Sequence, residues 1–143
     1  MIGIDTNLLV YAHRSAVPEC NAAQAAFIAA ANTPGGWGIS VPTIAEFWSI
    51  VTHRSQAGGP SSGALATNFI DHLVTEGHGQ IWVPGLGFGQ RLMRWAASLK
   101  IRGAAVFDLQ IALIALEHGA KEIWTHDRNF AAVPGLRVHD PLL

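Results

Sequence analysis

Residues Leu109–Leu116 read Leu-Gln-Ile-Ala-Leu-Ile-Ala-Leu, a helical run that is apolar on nearly every side. A helix of that kind is normally buried rather than laid on a surface. The rest of the chain must therefore supply layers to cover it. Short apolar segments at Gly3–Asp5, Trp37–Val41, Gln80–Val83, Glu122–Thr125 and Leu136–His139 read as strands. Between them, helical patterns cover Thr6–His13, Glu19–Ala31, Ile44–Arg54, Ala64–Thr75, Gln90–Leu99 and Val106–His118. Strands alternating with helices predict an α/β fold, a mainly parallel central sheet flanked by helices on both faces. The 143 residues, half of them hydrophobic, suit a single domain over 1–143 with a sizeable core. Pro34-Gly35-Gly36 and Gly119 end helices, Ala57–Gly63 predicts a flexible loop, and no repeat or linker interrupts the pattern.

Four isolated acids fall where apolar segments meet loops or helix starts. Asp5 closes Ile2-Gly3-Ile4, and Glu46 lies in Val41-Pro42-Thr43-Ile44-Ala45-Glu46-Phe47-Trp48. Asp108 opens the apolar helix, and Asp127 follows Ile123-Trp124-Thr125-His126. With only 10 Asp and Glu in the chain, few are free to decorate the surface. Sites in open α/β sheets form outside the carboxyl ends of the strands. Four carboxylates gathered there make an oxygen-rich pocket suited to Mg²⁺ or Mn²⁺.

Each acid also has a local structural alternative. Asp5 can cap the helix that starts at Thr6. Thr43-Ile44-Ala45-Glu46 matches a capping box. Asp127 can close an Asx-turn before Asn129. Asp108 shares a helix face with Ile111, Ala112 and Ala115, and a buried carboxylate is paired, protonated or metal-bound. Arg102, its nearest basic neighbour in sequence, would be the ion-pair partner.

Composition narrows the function classes. A formal charge of −1 argues against a strongly basic nucleic-acid binder. With four acids committed to a pocket, six acids face nine Lys and Arg, and the remainder is +3. No apolar run reaches the ~18–20 residues of a membrane span, and the N-terminus lacks the basic and apolar regions of a signal peptide. One cysteine, Cys20, rules out an internal disulfide and a Cys-rich zinc site. A cytoplasmic protein is expected. There is no Gly-x-Ser-x-Gly elbow, no P-loop lysine and no His-x-x-x-His spacing. Gly85-Leu86-Gly87-Phe88-Gly89-Gln90 has the outline of a dinucleotide loop, but Gln90 stands in place of the third glycine.

Asp5-Thr6-Asn7, Glu46 within Thr43-Ile44-Ala45-Glu46-Phe47, and Arg102-Gly103 followed by Asp108 occur in order. Thr125-His126-Asp127-Arg128-Asn129-Phe130 and Pro134-Gly135-Leu136-Arg137-Val138 complete the series over nearly the whole chain. Together these segments resemble the PIN-domain ribonucleases, in particular the VapC-type toxins of bacterial toxin–antitoxin pairs. The resemblance implies an Mg²⁺- or Mn²⁺-dependent endoribonuclease with Asp5, Glu46, Asp108 and Asp127 as catalytic residues. It makes Asp5 and Asp108 the principal metal ligands, with Glu46 and Asp127 holding ligand waters or a second ion. Thr6 and Asn7 would supply the strand-end hydrogen bonds and Thr125 would steady a carboxylate, with capping as the structural alternative for all three. Elementary electrostatics agrees, since two carboxylates about 4 Å apart repel by several kcal/mol at an effective dielectric near 20.

The resemblance also implies an RNA substrate, a VapB-like antitoxin and a homodimer. Five Trp and the apolar helices Glu19–Ala31 and Ile44–Arg54 offer more apolar surface than one face needs. A basic residue on the antitoxin tail would reach the acidic pocket and displace metal. Two other classes fit the same acids. One is a phosphoryl-transfer domain of the receiver or haloacid-phosphatase type. The other is a non-catalytic module stabilised by metal. The phosphatase pattern needs Asp-x-Asp where this chain has Asp5-Thr6-Asn7, and the receiver pattern needs a lysine at a strand end, whereas Lys121 precedes its strand.

Overall fold

In the computed structural model, which describes residues 1–54, 58–131 and 133–143, short strands and helices alternate as the sequence pattern requires. The first half comprises β1 (Ile2–Ile4), α1 (Thr6–His13), α2 (Cys20–Ala31), β2 (Trp37–Ser40), α3 (Val41–Val51) and α4 (Gly63–Thr75). The second half comprises β3 (Gln80–Trp82), α5 (Phe88–Ser98), α6 (Ala105–Glu117), β4 (Glu122–Trp124) and β5 (Arg137–His139). The strands form one sheet in the order β3-β2-β1-β4-β5, and every pair is parallel. The chain leaves β1 toward β2 on one side and later returns to place β4 on the other. The switch point of the sheet therefore lies between the carboxyl ends of β1 and β4, where such folds open a crevice.

Alternation along the strands divides the core between the two faces. Ile2, Ile4, Trp37 and Ile39 pack on one side with Leu8, Leu9, Phe27 and Phe47 from α1, α2 and α3. On the other side Ile123 and Trp82 pack with α6, whose Leu109 and Ile111–Ala115 are all buried. The apolar run is thus the layer that covers the second face. Close approach there depends on two glycines in register, Gly3 beside Gly38. A Cβ on Gly3 would stand 3.0 Å from the Ala115 methyl, and one on Gly38 would stand 2.3 Å from the Trp82 indole. The sheet carries no side chains at these points because a helix and a tryptophan occupy the space.

Several boundaries differ from the sequence expectation, each for a local reason. Asp5, expected to end the first strand, is instead the N-cap of α1. Val41, expected in a strand, opens α3, because Ser40 caps the helix and Pro42 suits its first turn. The capping box expected at Thr43–Glu46 is overturned by the same fact. Ser40 Oγ accepts the Thr43 amide at 3.2 Å, so Glu46 lies a full turn beyond the cap and is released for another task. The glycine-rich connection leads from Gly58 into α4, and Ala57, its expected first residue, lies outside the described residues. Of the five tryptophans, Trp37, Trp82 and Trp124 are buried, Trp95 is half-buried, and Trp48 is 44% exposed.

Candidate active site

Asp5 sits at the switch point because β1 ends one residue before it. Its amide still pairs with Trp124 O at 3.0 Å, which ties it to β4. Its Oδ1 accepts the Thr6 amide at 2.7 Å, so the expected capping role is real. Its Oδ2 accepts the Thr125 hydroxyl at 2.7 Å and the Asn7 amide group at 3.0 Å. Capping and presentation to the crevice are therefore compatible, since Oδ2 is held by Thr125 and Asn7 while Oδ1 takes a single helix amide and keeps a lone pair.

Thr125 is the knot of the network. Only 1% of its surface is exposed, and its hydroxyl also accepts Asn7 Nδ2 at 2.8 Å and the Asp127 amide at 3.0 Å. Asn7 closes the ring, because its Oδ1 accepts the His126 amide at 3.0 Å. Thr6, on the same turn of α1, donates its hydroxyl to Glu46 Oε2 at 2.7 Å, which fixes the α3 carboxylate against α1. Asp127 is exposed and closes the expected Asx-turn, its Oδ1 accepting the Asn129 amide at 2.8 Å. Thr6, Asn7 and Thr125 thus each bond a site carboxylate.

The four acids share one electrostatic field. Burial raises the Asp108 carboxyl to about 6, with further upward pushes from Asp5, Asp127 and Glu46. Burial also raises Asp5, against the hydrogen bonds from Thr125 and Thr6, and Glu46 and Asp127 add to the rise. The Arg102 ion pair expected for Asp108 does not form among the described residues. Among the described residues, the charges that act on Asp108 are those of Asp5, Asp127 and Glu46, all of its own sign. Among the described residues no three His, Cys, Asp or Glu side chains close on a common metal-ligand position. The acids are gathered but not drawn together, as unscreened carboxylates would be.

A PIN-domain family model matches residues 2–136. This chain belongs to the PIN-domain family. Ribonuclease VapC48 of Mycobacterium tuberculosis is 28% identical over 137 residues, covering 96% of this chain and 94% of that protein. The crystal structure of VapC20 from Mycobacterium tuberculosis, a sarcin-ricin loop cleaving toxin, superposes with a TM-score of 0.68 at 13% identity over 91% and 92% of the two chains. VapBC2 of Rickettsia felis, solved on a promoter DNA fragment, gives 0.67 at 18% identity over 98% of each chain. These superpositions show that the five-stranded sheet with its helices is the PIN fold.

Within this PIN domain, one pair beside the acids was not visible in the sequence. His126 Nδ1 and Asp140 Oδ2 lie 2.8 Å apart, and Tyr11 packs edge-on to the imidazole with centroids 6.0 Å apart. The string Thr125-His126-Asp127 displayed the histidine. Its partner arrives only after β5, and nothing local marks it. The receiver-type alternative loses its lysine, since the Lys121 amide pairs with Met1 O at the amino end of β1. The dinucleotide outline loses its loop as well, because the Gly85 amide is taken by Glu117 Oε2 at 3.2 Å.

Proposed function

We propose that this PIN domain is a divalent-metal-dependent endoribonuclease of the VapC type, the toxin of a toxin–antitoxin pair. The observation that carries the reading is the convergence of Asp5, Glu46, Asp108 and Asp127 at the switch point, with Asp108 raised to about 6 by burial and its acidic neighbours. The donor set fits a hard cation. Asp5 Oδ1, Glu46 Oε1, Asp127 Oδ2 and both Asp108 oxygens keep lone pairs that hydrogen bonds among the described residues leave unused. Asp5 and Asp108 would be the main ligands of Mg²⁺ or Mn²⁺, with Asp127 beside them. When bound, the cation supplies a water of lowered pKa and shields charge on the leaving oxygen.

The remaining work belongs to the chain. Glu46, fixed by Thr6, accepts a hydrogen bond from the attacking water and sets its direction. Thr125 and Asn7 hold Asp5 in one rotamer, so the carboxylate is oriented before substrate arrives. VapC48 and the superposed toxins support RNA as substrate and an antitoxin as partner. On α3, Trp48 and Ile50 are 44% and 41% exposed, a surface suited to a homodimer contact. We place the protein in the cytoplasm, where the RNA proposed as its substrate is found; no helix among the described residues is long and apolar enough to cross a membrane.

Cleavage of a labelled RNA in Mg²⁺ or Mn²⁺ tests the reading. Asp5→Asn and Asp108→Asn, each checked for an unchanged fold by circular dichroism, are expected to lower the rate by about two orders of magnitude or more, the scale of losing one electrostatic stabiliser. Cleavage by either variant at the parental rate would remove that residue from the site.

A further inference from the structure

One stretch of the chain carries charge of a single sign. From Gly77 to Phe107 there is no Asp or Glu, yet Arg91, Arg94, Lys100 and Arg102 all fall within it. Arg91 has a structural task, pairing with Glu117 and donating to Leu86 O at 2.7 Å. The other three are exposed and make no ion pair or side-chain hydrogen bond among the described residues. Arg102 leaves Asp108 unpaired although six positions separate them in the chain.

The backbone gives a second reason to regard these cations as placed. Helix α5 ends in a Schellman closure, with the Ile101 amide on Ala96 O at 2.9 Å and the Lys100 amide on Ala97 O at 3.2 Å. The residue between must be left-handed, and Lys100 has φ 54° where glycine would be relaxed. Lysine stands there against the local preference. Ile101 packs against the α5–α6 core and anchors the loop, while its neighbours Lys100 and Arg102 are exposed. The loop then runs directly into the acid site. Gly103 O accepts the Val106 amide at 3.3 Å, and Asp108 lies in the first turn of α6. On α5, Arg94, Trp95 and Ser98 line a shallow groove of ≈ 180 Å³.

An RNA strand whose scissile phosphate sits over four carboxylates has neighbouring phosphates that those carboxylates repel. Single-strand binders answer this with a basic track beside aromatic side chains. We propose that Arg94, Lys100 and Arg102 form a phosphate-binding track that holds the RNA strand on the α5 side of the cleavage site. The track rests on the ribonuclease reading and adds to it the path by which substrate leaves the carboxylates.

Fluorescence anisotropy with a labelled single-stranded oligoribonucleotide, in chelator so that no cleavage occurs, measures the track across a salt series. Each phosphate neutralised on a single strand contributes about 0.7 to the slope of log affinity against log salt. The triple variant R94Q/K100Q/R102Q is therefore expected to lower that slope by about 2. Lys100→Gly separates contact from structure, because it relieves the left-handed lysine. It is expected to raise Tm by roughly 2–5 °C while lowering RNA affinity and the slope by about 0.7. Parental affinity and slope in the triple variant, in a protein that cleaves RNA, would overturn the track and leave the ribonuclease reading standing. A parent protein that neither binds nor cleaves RNA would overturn both.

Discussion

Thr125 shows how much one hydroxyl does in this site. It donates to Asp5 and accepts from Asn7 and from the Asp127 amide, so replacing it by valine removes three hydrogen bonds at once and leaves the Asp127 amide without this acceptor. Leaving buried polar groups without partners costs about 1–3 kcal/mol. Thr125→Val is expected to lose that much stability in urea unfolding, with Thr125→Ser recovering most of it. An unchanged midpoint for the valine variant would show that the ring closes without the hydroxyl. Asp108 sets the pH behaviour. Its carboxyl is raised from 3.8 to about 6, by burial first and then by Asp5, Asp127 and Glu46, so the folded protein holds this proton more tightly than the unfolded chain. The stability that this provides is complete below the unfolded value and is lost as pH rises through the folded one. In chelator, Tm is therefore expected to fall between about pH 4 and pH 6 and then level off, as the Asp108 shift requires. Asp108→Asn should flatten that part of the curve; an identical fall in the variant would assign it to other groups. The gathering of Asp5, Glu46, Asp108 and Asp127 in one electrostatic field was legible in sequence because a lone acid at the end of an apolar strand or inside an apolar helix is costly enough to need a reason. The partners of His126 and Asn7 were not. Their bonds to Asp140 and Thr125 depend on which strands end side by side, and local pattern does not encode strand order.

Elements were easier to foresee than their edges. Helices announced themselves by apolar runs and by the glycine and proline that end them. Val41 reads as strand by propensity, yet Ser40 and Pro42 together make a helix start, and the cap prevailed over the β-branched side chain. The packing of α6 on the sheet likewise depends on residues whose importance lies in what they lack. Gly38→Ala would drive a methyl to 2.3 Å from the Trp82 indole, backed by His118 at 5.4 Å between centroids. Overpacking of this sort costs typically 1–3 kcal/mol. Gly38→Ala is expected to destabilise by that amount or more, and pairing it with Trp82→Leu should restore part of the loss. Equal stability of Gly38→Ala and the parent would mean that the indole moves freely.

At the scale of the whole molecule, the cation proposed at the switch point would stabilise the fold that holds it. Binding to the folded state alone adds about 2.7 kcal/mol at one hundred times the dissociation constant. Mg²⁺ or Mn²⁺ is therefore expected to raise Tm by several degrees and progressively with concentration, and calorimetry of the Asp5→Asn variant should show a much smaller rise. A parent melting curve indifferent to both ions would leave the carboxylates as caps. The ring of hydrogen bonds around Thr125 has a further consequence, which concerns time rather than energy. It joins the fifth residue of the chain to the hundred-and-twenty-fifth, through strands that pair only after β4 exists. During synthesis the ribosome releases Asp5 and Glu46 long before Thr125, and Asp108 follows only 17 residues ahead of it, so until β4 emerges the acid cluster has no far wall. On the proposed reading a nascent chain would gain activity only after β4 and Thr125 have emerged, and a fragment cut short before β4 is expected to be inert.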